Sequence, residues 1–164
     1  MTSAKPRCFD DFAIGDDLPS LTKGPLSTIH LVRWSAAMEN WHRIHFDHPY
    51  TVEHEGLKGL LINGTFKQQF IAQLLTDWAR PDGWVWKMNF QFRAMNIVGE
   101  RLTLWARVAN KRQAPDFGLV DVEMGIVNEH GVESTPGTAI VAFPYRHKQP
   151  LPYPFVAPVP AEIA

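Results

Sequence analysis

The sequence predicts an α+β fold in which one long helix is wrapped by a curved antiparallel sheet. Two observations carry this. Between residues 63 and 80 the apolar residues fall at helical spacing on one face, and from residue 84 onward the period changes to two. Helix and sheet are therefore segregated along the chain, which is the α+β pattern.

The elements follow in order. Residues 8–19 read as a loop and a short strand, with Gly15-Asp16-Asp17 as a turn. Thr28 is placed to cap a helix in which Leu31, Trp34, Ser35 and Met38 recur at helical spacing, ending near Asn40. Residues 40–50 are polar, aromatic and without period, and read as an ordered loop held to the body by Trp41 and Phe46. Asp47, with Pro49 two residues later, caps a short helix through Val52 and His54, which Gly56 and Gly59 break. Asn63-Gly64-Thr65 opens the long helix. Its stripe of Phe66, Phe70, Ile71, Leu74, Leu75 and Trp78 is one apolar face, and Arg80-Pro81-Asp82-Gly83 ends it.

Trp84, Trp86, Met88, Phe90 and Phe92 then alternate with more polar residues, as in a half-buried strand. A turn at residues 96–100 leads to a second strand bearing Leu102, Leu104, Ala106 and Val108. Residues 110–118 read as a polar loop, 119–128 as a third strand, 129–131 as a turn and 138–145 as a fourth strand, together an antiparallel meander. Six of the 13 prolines lie from Pro144 onward. The expected organisation is one domain over residues 1–147 and an extended Pro-rich tail over 148–164.

Composition removes several classes of function. Sixteen Lys and Arg against 17 Asp and Glu give a net charge of -1, without the basic excess that a phosphate backbone demands. The single cysteine, Cys8, allows neither an internal disulfide nor a Cys-rich zinc site. No apolar run approaches the roughly 20 residues of a membrane span. Residues 1–11 show no secretory leader, so the expected setting is cytoplasmic. No nucleotide-binding glycine motif and no nucleophile elbow is present.

Three constellations remain. Four of the seven histidines fall between His42 and His54. His42, His45 and His48 with Asp47 lack a regular face and any paired-His motif, so no metal or other cofactor is expected. An imidazole pulled onto the body of the protein has a pKa in a range useful for proton transfer. At the start of the long helix, the amide of Gly64 is open to close approach by an oxyanion, while Asn63 is either part of that site or simply the helix cap. In the connection 92–102, Arg93 and Arg101 are either phosphate ligands or surface residues, as are Lys111 and Arg112 beyond it.

These segments resemble the MaoC-like, hot-dog-fold acyl-thioester dehydratases, also called type 2 enoyl-CoA hydratases. The resemblance runs from about Phe9 to Tyr145. It rests on the Phe9-Asp-Asp-Phe-Ala-Ile-Gly-Asp opening, on Gly64 at the entry to the central helix, and on Phe92-Arg93-Ala94 with Val98-Gly99-Glu100-Arg101-Leu102. The family's Asp-x-Asn-Pro-x-His motif falls on Asn40-Trp41-His42-Arg43-Ile44-His45, followed by Asp47. His45 takes the place of the catalytic histidine and Asn40 that of the aspartate. The run His-Arg-Ile-His-Phe-Asp is most similar to a subgroup with mesaconyl-CoA hydratase-like proteins, which also carries Asn there.

The resemblance implies a single hot-dog unit and reversible hydration of a trans-2-enoyl thioester to a 3-hydroxyacyl thioester. The implied catalytic residues are His45 and Asn40, with Asp47 as a reserve base or helix cap. Gly64, Asn63 and His42 form the implied oxyanion and substrate set. Arg93 and Arg112 are candidates for the phosphates of coenzyme A, the carrier favoured over acyl carrier protein. Because the family's pocket lies between two units, a homodimer or higher homo-oligomer is implied, or a heterodimer with a partner chain. Asn40 also leaves open a non-catalytic subunit paired with an active chain. A thioesterase on the same fold would need a carboxylate near the helix start, where Gln68 and Gln69 stand instead.

Overall fold

A computed structural model of the chain describes residues 7–159. Residues 1–6, read above for a leader, and residues 160–164 of the Pro-rich tail lie outside the described residues. A 3-10 turn at Phe9–Asp11 precedes strand β1 (Leu21–Lys23), helix α1 (Thr28–Ala37), a second 3-10 turn (Arg43–His45) and one wide π-helical turn (Tyr50–His54). Helix α2 (Gly64–Ala79) then leads to strands β2 (Trp84–Phe90), β3 (Leu102–Gln113), β4 (Phe117–Asn128) and β5 (Gly137–Pro144). The strands form one antiparallel sheet in the order β1-β3-β4-β5-β2.

The sheet curls around α2, as the α+β reading expects. Phe70, Ile71, Leu74, Leu75 and Trp78 of the helix are buried. They share one core with Leu104, Val108, Val122, Met124, Ile126, Val141 and Phe143 from the inner faces of β3, β4 and β5. Helix period 3.6 and strand period two thus deliver complementary apolar surfaces, each buried side chain contributing roughly 1.5–3 kcal/mol. Gly99 turns the chain back into β3 with φ 98°, a conformation open to glycine at no steric cost.

Several details differ from the sequence reading. The meander holds for β3, β4 and β5, but β2 pairs with β5 rather than with its sequence neighbour β3. Periodicity sets which face a strand buries and says nothing of its partner. A bulge between Val85 and Lys87 interrupts the alternation in β2. Val85, Met88 and Phe90 therefore face the core, while Trp86 packs on the opposite side of the sheet and Phe92 lies beyond the strand.

Residues 110–118 are not a polar loop. β3 runs to Gln113 and β4 starts at Phe117, with Arg112 opposite Leu119. The polar side chains sit at strand ends: Lys111 Nζ donates to the Phe12 carbonyl at 2.6 Å and Arg112 clasps Asp121. Among the described residues, the stretch 8–19 forms no strand but one isolated bridge, Asp17 to Arg107, and β1 lies beyond it. Ser27, one residue before Thr28, is the cap of α1: the His30 Nδ1 accepts its N–H at 3.0 Å. The tail crosses the outer face, where Leu151 and Phe155 pack on Ala114, Phe117, Leu119 and Ala142 beside Trp86. No described helix is long and apolar enough to cross a membrane.

Candidate active site

The loop that follows α1 is tied down from both ends. Asn40 donates its N–H back to the Ser35 carbonyl at 2.9 Å, just after Glu39 takes a left-handed φ of 50°. The chain then makes the 3-10 turn Arg43–His45 and is stitched to the segment that enters α2. The Leu61 N–H donates to the Ile44 carbonyl at 2.9 Å, and His45 Nδ1 lies 2.7 Å from the Leu61 carbonyl.

A carbonyl can only accept, so Nδ1 carries the proton and Nε2 keeps its lone pair. His45 is 6% exposed. Burial holds its pKa below the ordinary imidazole value of 6.5; the Leu61 bond opposes this and the neighbouring His42 adds to it. At neutral pH the group is a neutral base with one free nitrogen.

The neighbours of His45 have distinct roles in the loop. The Asn40 Oδ1 accepts the His42 N–H at 3.3 Å, which leaves its second lone pair. His42 is exposed, its ring 6.2 Å from that of His45. Both oxygens of Asp47 are engaged. Oδ2 accepts from Arg43 Nε at 2.9 Å and from its terminal nitrogen at 2.7 Å, and Oδ1 accepts the Tyr50 N–H at 3.1 Å. The Arg43 guanidinium, then the Tyr50 amide, holds the carboxyl below its usual range. This is the capping geometry. Trp41, expected to anchor the loop, is 65% exposed; Phe46 is partly buried. Among the described residues no group of three or more His, Cys, Asp or Glu side chains is arranged to hold a metal ion.

The entry to α2 adds the other half of the site. Gly64 and Thr65 occupy the first turn, whose N–H groups have no carbonyl one turn back to bond and carry the positive end of the helix dipole. A Cβ on Gly64 would meet the half-exposed Phe92 ring at 2.8 Å, so a side chain here would have to push that ring aside. Asn63 stands at the cap position, but its side chain makes no cap bond. It is fully buried and donates Nδ2 to Ser35 Oγ at 3.3 Å, while its Oδ1 has no partner. Ser35 thus joins the two halves: its carbonyl holds Asn40 and its hydroxyl holds Asn63.

The candidate phosphate ligands lie elsewhere. Arg93 is exposed on the connection after β2, its N–H bonded to the Ser134 carbonyl at 2.9 Å. Arg112 is paired with Asp121 at 2.5 and 2.8 Å on the sheet.

Three residues near the site escape a sequence reading. Ser35 looks unremarkable within α1 until its two bonds are seen. Phe92 reads as the end of a strand. Lys67 is the exception that carried a signal: it stands four and eight positions before Ile71 and Leu75, on the buried face of α2, where a cation is out of place.

Residues 16–100 match the sequence profile of the hydroxyacyl-thioester dehydratase type 2 family. A search of curated proteins finds no match. Among solved structures, the (R)-hydratase of A. caviae involved in PHA biosynthesis is similar with a TM-score of 0.71 and 16% identity, over 81% of this chain and 98% of that one. The MaoC-like dehydratase from Rhodospirillum rubrum is similar with a TM-score of 0.72 and 18% identity, over 87% and 97%. A Mycobacterium tuberculosis protein with a double hot-dog fold matches with a TM-score of 0.69 and 19% identity, over 93% of this chain and 48% of that one. At such identities the likeness shows the fold: this chain is a hot-dog fold.

Proposed function

The chain belongs to the hydroxyacyl-thioester dehydratase type 2 family, and from that membership we propose that it adds water reversibly to a trans-2-enoyl thioester. The product is a 3-hydroxyacyl thioester, with coenzyme A as the favoured carrier. The observation that carries the reading is His45: a buried imidazole with Nδ1 committed to a carbonyl and Nε2 free, on a loop stitched to the entry of α2.

In the hydration direction the water oxygen bonds to the β carbon as its proton passes to His45 Nε2. The double-bond electrons move toward the thioester oxygen, which the Gly64 N–H and the helix dipole stabilise. His45 then delivers a proton to the α carbon. An amide exchanges no proton near neutral pH, so Asn40 is assigned to orienting the water through the free lone pair of Oδ1. Asp47, ionised and bonded at both oxygens, is assigned to holding the loop. His42, exposed beside His45, is assigned to the border of the acyl thioester, and fully buried Asn63 to holding the Gly64 turn through Ser35. Arg93 is preferred over Arg112 for a phosphate because Arg112 is already paired with Asp121.

The test is hydration of crotonyl-CoA and branched enoyl-CoAs by the purified full-length chain. General acid–base catalysis is worth about 10²–10⁴-fold, so His45→Ala is expected to lose kcat on that scale and Asn40→Ala less. A His45→Ala enzyme that turns over near the wild-type rate overturns the assignment. Asn at the aspartate position sustains a second reading, a non-catalytic subunit. Inactivity of the wild-type chain alone, with activity restored by a partner dehydratase chain, would establish it.

A further inference from the structure

Lys67 lies in the second turn of α2 and is 2% exposed. Its Nζ donates to Asn96 Oδ1 at 3.0 Å and to the Ala94 carbonyl at 3.2 Å, and sits 5.3 Å from the centre of the Phe92 ring. Asn96, fully buried, donates Nδ2 to Glu100 Oε2 at 2.8 Å. The same oxygen accepts from Asn128 Nδ2 of β4 at 3.2 Å, and Glu100 Oε1 accepts the Ile97 N–H at 3.1 Å. Glu100 is the charged group that bears on Lys67, at one remove through Asn96; among the described residues no carboxylate touches the ammonium directly. Burial pulls Lys67 down to about 8, with Glu100 opposing.

A buried ammonium with no direct counter-ion costs stability, and its register favours an apolar residue. Its contacts point to a use. The Phe92 ring that Lys67 approaches is the one that closes on Gly64. The Asn96 carbonyl accepts the Ile62 N–H at 2.8 Å, next to Leu61, whose carbonyl holds His45.

We propose that Lys67 is a positioning residue of the thioester site: it clamps residues 92–96 against the start of α2 and sets a fixed positive charge near the Gly64 amide, where the thioester oxygen gains negative charge. The assignment rests on the hydratase reading. A neutral amine keeps enough N–H bonds for both contacts, so loss of the proton removes the charge and leaves the clamp. The rate then falls as pH rises through about 8, while substrate binding stays.

The experiment compares the full-length wild type with Lys67→Gln and Glu100→Gln. It follows crotonyl-CoA hydration against pH, and the ultraviolet absorption of enolate formed by bound acetoacetyl-CoA. For Lys67→Gln we expect kcat and the bound enolate fraction to fall about tenfold, with KM within about threefold, and the alkaline limb to vanish. Glu100→Gln, which keeps Lys67, is expected to move that limb to lower pH, because the carboxylate favours the charged ammonium. Wild-type kcat, enolate and alkaline limb in Lys67→Gln would overturn the proposal. Should that variant not fold, an unmoved limb in Glu100→Gln overturns it. A wild type that enolises acetoacetyl-CoA without hydrating any enoyl thioester refutes only the hydratase reading, and the enolate fraction then decides for Lys67. A wild type that neither hydrates enoyl thioesters nor binds acetoacetyl-CoA removes both.

Discussion

His45 is a base only while neutral, and its burial widens the pH window in which it is. Desolvation penalises the imidazolium, so the folded-state pKa lies below 6.5. On the proposed chemistry, kcat/KM for hydration is flat at neutral pH and falls as pH drops through a value lower than that of a free imidazole. A pH profile of the free enzyme checks this; an acid limb at or above the free-imidazole value would contradict the assignment. The residue scale is also where the sequence was most and least legible. His45 stood out because a motif and a cluster of titratable groups marked it. Its Leu61 partner is a backbone carbonyl, which any residue supplies, so the tautomer had no signature in the sequence. Lys67 and Ser35 act through partners 27 to 29 and 28 residues away, on segments whose proximity only the fold creates.

At the scale of elements, the site depends on α1 and α2 being locked where they meet. Ser35 provides the lock, since Asn63 has only its Nδ2 bond and already carries an unpartnered Oδ1. Ser35→Ala leaves a second polar group of a fully buried amide without a partner. The expected cost is about 1–3 kcal/mol, read by urea unfolding. The loop 40–45 hangs from the same residue through its carbonyl, which the substitution keeps, so a loss in kcat larger than any rise in KM is expected from a shifted Gly64 turn. The elements themselves were legible because period and punctuation are local: α2 begins at the Asn-Gly pair and ends before Pro81 as read. Strand partners were not legible. The closure of β2 on β5 is decided by how the sheet curls to cover the helix stripe, a property of all five strands together.

At the scale of the molecule, the surface that remains uncovered matters as much as the core. The tail covers part of the outer face of the sheet, with Phe155 stacked on Trp84 at 6.1 Å and packed on Phe117 at 5.5 Å. The opposite situation holds around α1, where Ile29 is 70% exposed, Val32 44% and Met38 50%, with Trp41 beyond the helix end. β2 is the last strand of the sheet, so its outer row of backbone groups is unpaired within the sheet. Large apolar side chains clustered on one helix and an open strand edge are what a second copy would cover. The candidate residues fit this arrangement: among the described residues, the clefts under the tail, beside Arg93 and along the helices are lined by residues other than His45, Asn40 and Gly64. The proposed enzyme should therefore gain its thioester pocket on dimerisation. Light scattering of the full-length chain is expected to give twice the chain mass. Ile29→Asp combined with Val32→Asp places charges on one exposed face of α1 and disturbs no buried residue. The expected result is a shift toward monomer at low concentration, with activity lost in proportion and regained as concentration rises. A stable monomer with full hydratase activity would show that one copy closes the pocket alone, and would return the apolar face of α1 to the search for another partner.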